Sequence, residues 1–328
     1  MSKKVLVTLP FKSEMISGFE SCVKMLTDAG FEVELDSRLR TLAKDELIDA
    51  LQGVYAHVAA AEVLSEEVMK SARSLKIISR MGVGYDNVDL SAATKYGIAL
   101  TITPGANADA VAEYTVTLLL ALTRNITTID SMAKEGIWKT VFGTSVYGKT
   151  IGIIGAGNIG RRVVRNLSGF SMRVLAHDPF PNDKFAEEYG VSYCQLDTLL
   201  RESDYITIHS PLNEQTFHMI GKEQFSIMKP TALLVNCARG EIVDEGAMYD
   251  ALHEKRIAGA ALDVYEQEPF ASDNPLLALE NVIISPHIAG MTYECRKTVI
   301  EMAFQNIIDL SLGKRPEGLI NDDVIFSE

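Results

Sequence analysis

The stretch KTIGIIGAGNIG, residues 149–160, decides how the chain folds. A short apolar run, residues 151–154, leads directly into Gly155, Gly157 and Gly160, and apolar residues at helical spacing follow. This order predicts a strand, a glycine turn and the start of a helix. In a dinucleotide site the first glycine permits the tight turn, the second lets the backbone approach a pyrophosphate, and the third lets the helix pack close to the strand. The free amide groups at the N-terminus of the helix would then bind the pyrophosphate.

A second apolar run, residues 172–176, is followed by Asp178, 18 positions after Gly160. An acid about 20 residues past the last glycine is typical of a residue that binds the adenosine ribose. Its neighbours His177 and Pro179 supply no arginine for a 2′-phosphate, so the pattern favours NAD over NADP. Two simpler interpretations stay open, since three glycines can form an ordinary turn and an aspartate can cap a helix.

Length and composition restrict the kind of protein. With 328 residues the chain exceeds what one hydrophobic core usually serves, so two domains are expected. The formal net charge of −13 disfavours nucleic acid as a general partner. The N-terminus lacks the apolar region of a signal peptide, and no run reaches the ~18 apolar residues of a membrane span, so we expect a cytoplasmic protein. The four cysteines form no CxxC pair, and we expect neither a metal site nor a disulfide framework.

Two successive alternations of apolar strands and helical segments predict an α/β fold with two doubly wound parallel-sheet domains. Residues 1–102 contain five predicted strands and no dinucleotide fingerprint. An apolar helix, residues 109–123, then leads into a region with six predicted strands, as in a dinucleotide-binding fold. The final helix, residues 291–312, is expected to return to the first domain. We therefore predict an NAD-binding Rossmann domain, residues 103–290, inserted into a flavodoxin-like substrate domain of residues 1–102 and 291–328.

Polar residues follow three successive predicted strands of the second domain. They are Arg239, Glu268 and His287, and Glu266 stands close to the second of them. In open parallel sheets ligands bind beyond the carboxyl ends of the strands, so these side chains are expected to converge. An arginine can hold a carboxylate bidentately, a histidine can exchange a hydroxyl proton, and a neighbouring carboxylate orients that histidine and favours its charged form. The combination suits the oxidation of a hydroxy acid, although each residue taken singly could be a surface ion-pair partner, a solvated loop acid or a capping or core histidine.

Several motifs, in this order, resemble those of the D-isomer-specific 2-hydroxyacid dehydrogenases. The motifs of the second domain are GAGNIG at 155–160, HDP at 177–179, NCARGEIVDE at 236–245, ALDVYEQEP at 261–269 and SPHIAG at 285–290. In the N-terminal half, RMGVGYDNVDL at 80–90 and TPGANADAVAEYT at 103–115 are similar to the phosphoglycerate dehydrogenase branch. The resemblance implies an NAD-dependent oxidoreductase that interconverts a small anionic D-2-hydroxy acid and its 2-oxoacid by hydride transfer. It also suggests a homodimer, as does the apolar helix at 109–123.

The resemblance further implies a role for each matching position. Arg239 matches the substrate-orienting arginine, Glu268 the carboxylate paired with the catalytic histidine, and His287 the general acid/base. Asp263 matches the partner of the nicotinamide carboxamide. The full set of implied cofactor positions is Gly155, Gly157, Asn158, Ile159, Gly160, Asp178, Ser210, Cys237, Ala238, Arg239, Asp263, His287 and Gly290. The substrate positions are Val83, Gly84, Arg239 and His287, to which Arg80 is added as a nearby cation.

The sequence specifies the substrate less closely than the reaction. A phosphorylated substrate calls for basic residues near the N-terminal loop, but residues 58–63 contain Val58 and Glu62 where the resemblance places basic side chains. No room is expected for a C-terminal regulatory domain. Phosphoglycerate dehydrogenase proper stays an alternative, because Arg80 and Lys139 could meet an anionic tail. An alternative of another class is an NAD(H)-sensing scaffold similar to the transcriptional co-repressors that share this fold.

Overall fold

The computed structural model describes residues 3–36, 38 and 40–326. Residues 1, 2, 37, 39, 327 and 328 belong to the predicted substrate domain but lie outside the described residues. The described residues form two compact units. The first unit comprises the chain up to Asn107 and from Met291 onward, and the second is Ala108–Gly290. The second unit is therefore an insertion in the first.

The first unit is built on a five-stranded sheet in which every pairing is parallel. Its strands are β1 (Lys3–Val7), β2 (Phe31–Leu35), β3 (Ala56–Ala59), β4 (Ile77–Arg80) and β5 (Ala99–Thr101). The order β2-β1-β3-β4-β5 is that of the flavodoxin-like fold, as predicted. Every residue of β3, β4 and β5 is buried, because both faces of a parallel sheet are covered by its crossover helices. The helices that precede the insertion are α1 (Phe19–Asp28), α2 (Lys44–Ala50), α3 (Glu66–Ser71) and α4 (Leu90–Lys95).

The second unit is built on a seven-stranded parallel sheet. Its strands are β6 (Thr150–Ile154), β7 (Arg173–His177), β8 (Val191–Tyr193), β9 (Tyr205–Ile208), β10 (Leu233–Asn236), β11 (Gly259–Leu262) and β12 (Val282–Ile284). The order in the sheet is β12-β11-β10-β9-β6-β7-β8. The chain runs from β6 to β7 and β8 on one side and then crosses to β9 on the other, as in the Rossmann fold. The crevice for a ligand is expected where this direction changes, at the carboxyl ends of β6 and β9.

The helices of the second unit include one that is almost entirely apolar. They are α5 (Ala108–Thr123), α6 (Ile126–Lys134), α7 (Asn158–Leu167), α8 (Asp183–Tyr189), α9 (Leu196–Glu202), α10 (Lys222–Ile227) and α11 (Glu245–His253). Helix α5 packs against α7, β10 and β11, and its side chains Leu118, Leu119 and Leu122 are buried. The apolar sequence of this helix is therefore explained by its place in the core of the second unit.

The chain ends with α12 (Tyr293–Ser311) and the short helix α13 (Asp323–Phe326). Helix α12 packs against α1, β3 and β4. The hydroxyl of Ser79 donates to the carbonyl of Ala303 at 2.9 Å, and the side-chain amide of Asn306 donates to the carbonyl of Ile102 at 3.1 Å. The expected return of the final helix to the first unit is confirmed. Within the described ranges no helix is long and apolar enough to cross a membrane.

Some elements differ from the sequence-based prediction. The prediction of six strands in the second region is wrong, because β8 makes a seventh. Strand β8 has only three residues with a serine at its centre, so it forms no legible apolar run. The sequence pattern also does not predict α4, α6 and α8. The first unit extends to Asn107, five residues past the boundary expected at 102, because the amide of Thr103 still donates to the carbonyl of Gly82 in that unit.

Candidate active site

The glycine turn lies where the sheet of the second unit changes direction, between β6 and β9. Gly155 has a φ of 90°, and a Cβ there would lie 2.7 Å from the carbonyl carbon of His209 and from the amide nitrogen of Ser210. A Cβ on Gly160 would overlap the carbonyl oxygen of Gly155. A Cβ on Gly157, by contrast, would extend into open space. The tight turn and the close packing predicted for the first and third glycines are present, and the second glycine leaves room for a ligand.

The first turn of α7 has the properties of an anion site. Gly157 is the residue before the helix, and Asn158 and Ile159 begin it. No side chain at the cap position bonds to the first amide groups, which also have no acceptor within the helix. These amides and the positive end of the helix dipole fit the pyrophosphate of NAD.

Asp178 connects the end of β7 to the glycine turn. Its Oδ2 accepts the amide of Ala156 at 2.7 Å, and its Oδ1 accepts the amide of Phe180 at 2.8 Å. Helix α8 is capped by Asn182, whose Oδ1 accepts the amide of Phe185 at 2.9 Å. The interpretation of Asp178 as a helix cap is therefore wrong. The carboxylate lies beside the turn, where an acid for the adenosine ribose is expected.

The residues after β9 and β10 continue along the same edge of the sheet. Ser210 and Ala238 are partly exposed, whereas Cys237 is 8% exposed. Burial raises the pKa of the Cys237 thiol to about 12, so it stays protonated at neutral pH. A protonated thiol is a poor nucleophile. Cys237 can therefore line a cofactor site without taking part in covalent chemistry.

A short contact joins two of the predicted catalytic residues. Nδ1 of His287 lies 2.6 Å from Oε2 of Glu268, and the other carboxylate oxygen accepts the amide of Tyr265 at 3.0 Å. Burial by itself would raise the pKa of the Glu268 carboxyl, but the hydrogen bond and charge of His287, the Tyr265 amide and the charge of Arg239 hold that pKa below its ordinary value. Glu268 is therefore ionised at neutral pH and can only accept. The proton of the pair lies on Nδ1, which leaves Nε2 of His287 for a substrate.

Arg239 follows the neighbouring strand, β10. Its Nη1 donates to the preceding carbonyl at 2.8 Å, and the side-chain amide of Asn236 donates to the Arg239 carbonyl at 2.9 Å. A Cβ on Gly240 would overlap the backbone of Tyr265, so the segment after β10 touches the segment that carries Glu268. The structure thus brings together the three segments that the sequence predicts to converge.

Glu266, the other acid of this segment, has a different histidine as its partner. Its Oε1 lies 2.9 Å from Nε2 of His218 and accepts the amide of Glu245, the first residue of α11, at 3.0 Å. Sequence reasoning does not identify His218. The structure therefore distinguishes the two glutamates, since Glu266 holds the start of α11 and Glu268 contacts His287.

Buried polar side chains support the segment of His287. Asp263 is fully buried and bonds to this segment, and the hydroxyl oxygen of Tyr265 lies 3.0 Å from the carbonyl oxygen of Ser285. Sequence reasoning assigns Asp263 to the cofactor and gives Tyr265 and Ser285 no role. The signal for Ser285 in the sequence is its position directly after β12, where a polar group in an apolar environment needs a partner, and Tyr265 stands three residues after β11. Gly290 ends the second unit.

In the first unit, the predicted substrate loop follows β4. Arg80 is 9% exposed, and its Nε and Nη2 both lie 3.2 Å from the carbonyl oxygen of Gly84. Val83 and Gly84 are partly exposed. Glu62 is 1% exposed, and its Oε2 accepts the amide of Ala60 at 2.7 Å. Arg80 therefore stabilises the loop whose amides are the predicted contacts of the substrate carboxylate.

Comparisons with known proteins agree with these features. The profile described as D-isomer specific 2-hydroxyacid dehydrogenase, NAD binding domain, matches residues 116–289. The glyoxylate reductase of Korarchaeum cryptofilum (strain OPF8) is 42% identical over 302 residues, which cover 90% of this chain and 91% of the relative. The D-3-phosphoglycerate dehydrogenase of Archaeoglobus fulgidus is 40% identical over 321 residues, which cover 97% of this chain but 59% of the relative.

A solved structure is similar over nearly the whole chain. The crystal structure of D-lactate dehydrogenase with NAD+ from Lactobacillus jensenii has a TM-score of 0.77 and 31% identity, and the match covers 97% of this chain and 99% of that one. The predicted family, reaction and cofactor are confirmed, which leaves the non-enzymatic scaffold without support. The chain belongs to the D-isomer specific 2-hydroxyacid dehydrogenase family, and it is an NAD-dependent oxidoreductase that interconverts small 2-hydroxy acids and 2-oxoacids.

Proposed function

We propose that His287 is the general acid/base of this reaction and that Glu268 orients it. The observation that carries the proposal is the 2.6 Å contact between Nδ1 of His287 and Oε2 of Glu268. Because an ionised carboxylate only accepts, this contact fixes one imidazole proton and leaves Nε2 to exchange a proton with the substrate. Arg239 is proposed to bind the substrate carboxylate through its bidentate guanidinium.

The mechanism follows from these positions. Bound NAD supplies the hydride acceptor for oxidation and, when reduced, the hydride donor for reduction. In reduction, protonated His287 donates from Nε2 to the substrate carbonyl oxygen as that oxygen becomes a hydroxyl. In oxidation, neutral His287 accepts the hydroxyl proton at the same atom. Glu268 stays ionised in both directions and stabilises the imidazolium, since its pKa is held below the ordinary value.

The residues proposed to hold NAD follow the carboxyl edge of the sheet from β7 to β12. The amides of Gly157, Asn158 and Ile159 would bind the pyrophosphate, and Asp178 would bind the adenosine ribose. The open space at Gly157 and the uncapped start of α7 support this arrangement. The remaining proposed positions are Gly155, Gly160, Ser210, Cys237, Ala238 and Gly290. Arg239 and His287 line the same site but are proposed to act chiefly on the substrate, and Asp263 is fully buried.

We propose glyoxylate, a small unphosphorylated 2-oxoacid, as a substrate, with the amides of Val83 and Gly84 as further contacts of its carboxylate. The relative named glyoxylate reductase matches this chain over nearly its full length. Arg80, a cation that a phosphate could use, already donates to the carbonyl of Gly84. Phosphoglycerate dehydrogenase is the second candidate, because a relative with that name matches 97% of this chain.

The substrate proposal is tested by NADH oxidation with glyoxylate, pyruvate, hydroxypyruvate and phosphohydroxypyruvate. We expect kcat/KM to be at least about tenfold higher for glyoxylate than for the phosphorylated acid, which corresponds to about 1.4 kcal/mol of transition-state binding. A preference for phosphohydroxypyruvate would overturn the proposal in favour of the second candidate.

The acid/base proposal is tested by His287→Ala. We expect kcat to fall by at least about 100-fold while the Kd for NADH changes less than about threefold. Near-full turnover of this variant would show that another group transfers the proton.

A homodimer and a cytoplasmic location are also proposed. The leucines Leu118, Leu119 and Leu122 of α5 are buried in the second unit, so support for a dimer comes instead from the segment after α6, where Trp138 is 101% and Phe142 is 91% exposed. Two large aromatic side chains exposed within five residues fit an interaction surface. The four cysteines are free, which fits a reducing compartment. Light scattering should give twice the chain mass of 36.0 kDa, and a monomeric mass would contradict the dimer.

A further inference from the structure

Asp263 follows β11 and is completely buried although it carries a carboxylate. Its Oδ1 accepts the hydroxyl of Ser285 at 2.6 Å and the amide of Ile288 at 2.9 Å, and its Oδ2 accepts the amide of Ala289 at 2.8 Å. These three donors are neutral, and all lie in the segment that follows β12. One carboxylate therefore holds this segment on both sides of His287.

The backbone of His287 needs such support. Its φ of 54° lies in the left-handed region, which residues other than glycine seldom adopt. A left-handed residue turns the amides that follow it toward a common side, where they form a concavity for an anion. Here the carboxylate of Asp263 occupies that concavity. If it were removed, the amides of Ile288 and Ala289 would lose their acceptor, and that of Ala289 is buried.

Asp263 also connects two segments whose separation matters for the reaction. Asp263 stands on the segment that carries Glu268, and it binds the segment that carries His287. The hydroxyl of Tyr265 adds a second connection, because its oxygen lies 3.0 Å from the Ser285 carbonyl oxygen and 3.1 Å from that of Leu262. The contact between His287 and Glu268 therefore depends on the buried hydrogen bonds that Asp263 and Tyr265 make to the segment of His287.

This geometry differs from the role that the family resemblance implies for Asp263, a contact with the nicotinamide carboxamide. The side chain of Asp263 exposes no surface to solvent, and three donors already surround its two oxygens. Three of the roughly four acceptor positions of the carboxylate are therefore already taken by donors of this chain.

We propose that Asp263 is a positioning residue for the reaction, whose carboxylate holds the backbone turn that places His287 against Glu268. The proposal rests on the proposed acid/base role of His287. It assigns to Asp263 an effect on proton transfer, and hence on kcat, that is larger than its effect on the affinity for the cofactor.

The test compares Asp263→Asn with a milder variant, Ser285→Ala. Asparagine has the same shape but one of its two terminal groups is a donor, so it cannot accept all three bonds. Ser285→Ala removes only the hydroxyl donor, and the Asp263 carboxylate can still accept the amides of Ile288 and Ala289. Four quantities are measured for each variant. They are kcat with its pH profile, KM, the Kd for NADH, and the hydrogen exchange of the amides of Ile288 and Ala289.

We expect kcat of Asp263→Asn to fall by about 10- to 100-fold, because small displacements of a catalytic group have effects of this size. KM and the Kd for NADH should change less than about threefold, while the two amides exchange faster and the pH profile of kcat shifts. In Ser285→Ala we expect kcat to fall by about two- to tenfold, with the same changes in exchange and pH profile. This variant is used for the test if Asp263→Asn does not fold. A loss of NADH affinity as large as the loss of kcat, with unchanged exchange, would overturn the proposal in favour of the cofactor role. Parent-like kcat and exchange in both variants, or in Ser285→Ala alone if only that variant folds, would overturn it as well.

A matched control is Asp204→Asn. Asp204 lies at the opposite, amino edge of the same sheet, where it accepts the amide of Thr150 at 2.9 Å and the ammonium group of Lys229 at 2.8 Å. We expect this variant to lose stability without changing kcat or the exchange of the His287 turn. The outcome for His287→Ala separates the two proposals. If that variant stays active, the acid/base role fails, whereas an inactive His287→Ala beside an unaffected Asp263→Asn refutes only the positioning role.

Discussion

Gly240 and Tyr265 are in direct backbone contact across two neighbouring strand ends, and a Cβ added to Gly240 would overlap both the carbonyl carbon and the carbonyl oxygen of Tyr265. Arg239 precedes this contact, and Glu268 follows it by three residues. Two backbones in contact leave no side chain that could rotate to relieve a clash. The contact therefore fixes the separation of the segments that carry the proposed substrate arginine and the proposed partner of the acid/base.

Gly240→Ala should move these two segments apart. We expect a loss of about 1–3 kcal/mol in the free energy of unfolding, since backbone atoms must shift, and a fall of at least about tenfold in kcat/KM. Thermal unfolding and steady-state kinetics measure the two effects. The matched control is Gly169→Ala, because a Cβ at Gly169 meets no atom within 4 Å. Equal behaviour of the two variants would contradict the role of the contact.

Arg239→Ala should raise KM for the 2-oxoacid and lower kcat, because the carboxylate loses its bidentate partner. Arg239→Lys should recover only part of the loss, since a lysine keeps the charge but not the planar fork. The Kd for NADH should change less than about threefold in both. Arg256→Ala, at an exposed ion pair with Glu254, serves as the control and should leave KM unchanged. An unchanged KM in Arg239→Ala would exclude a carboxylate contact.

Glu268→Gln should alter the dependence of stability on pH. The pKa of Glu268 is lowered in the folded protein, so the stabilisation from its ionised form is fully present above the ordinary value of 4.5 and is lost as the pH falls through the lower folded value. The difference in unfolding free energy between the parent and Glu268→Gln should therefore be constant above pH 4.5 and shrink below it. We expect a difference of at most about 1 kcal/mol, because both partners are partly exposed.

Denaturant unfolding from pH 3 to 7 measures this difference. Glu187→Gln, at an exposed position of α8, serves as the control for loss of a carboxylate elsewhere on the surface. A difference that grows toward low pH would mean that burial dominates and that Glu268 is not held in its charged form.

Asp178→Ala should weaken the binding of NADH more than the binding of NADPH. The carboxylate also accepts the amides of Ala156 and Phe180, so its loss loosens the glycine turn and affects both cofactors. Only NADH additionally loses a hydrogen bond from its ribose to a charged acceptor, which is worth about tenfold in affinity. Fluorescence titration gives both Kd values. If the ratio of the two Kd values in the variant equals the ratio in the parent protein, Asp178 only supports the turn.

Strand periodicity and glycine chemistry predict most of the fold. The apolar runs of β6, β9, β10 and β11 are legible because both faces of a central parallel strand are buried. Strand β8 lies at the edge of the sheet with three residues, and α6 has no buried residue, so neither leaves a clear pattern in the sequence. Burial, and not strand propensity alone, makes an element predictable.

The candidate site is predictable to a smaller extent. Arg239, Glu268 and His287 are identified from their positions after successive strands, which parallel topology brings to one edge. Strand positions alone do not choose between Glu266 and Glu268 as the partner of His287, because the choice depends on the direction of each side chain. Only the family resemblance assigns the role to Glu268.

The sequence by itself determines the cofactor domain of this protein, because the glycines at 155, 157 and 160 and the acid at 178 are required locally by one turn and its ligand. Only the tertiary structure decides how the reacting groups are held. Asp263 supports the turn of His287 through residues more than 20 positions away, and Gly240 meets Tyr265 across two strand ends. These are contacts between segments that are distant along the chain, so they exist only once the strands have paired in register.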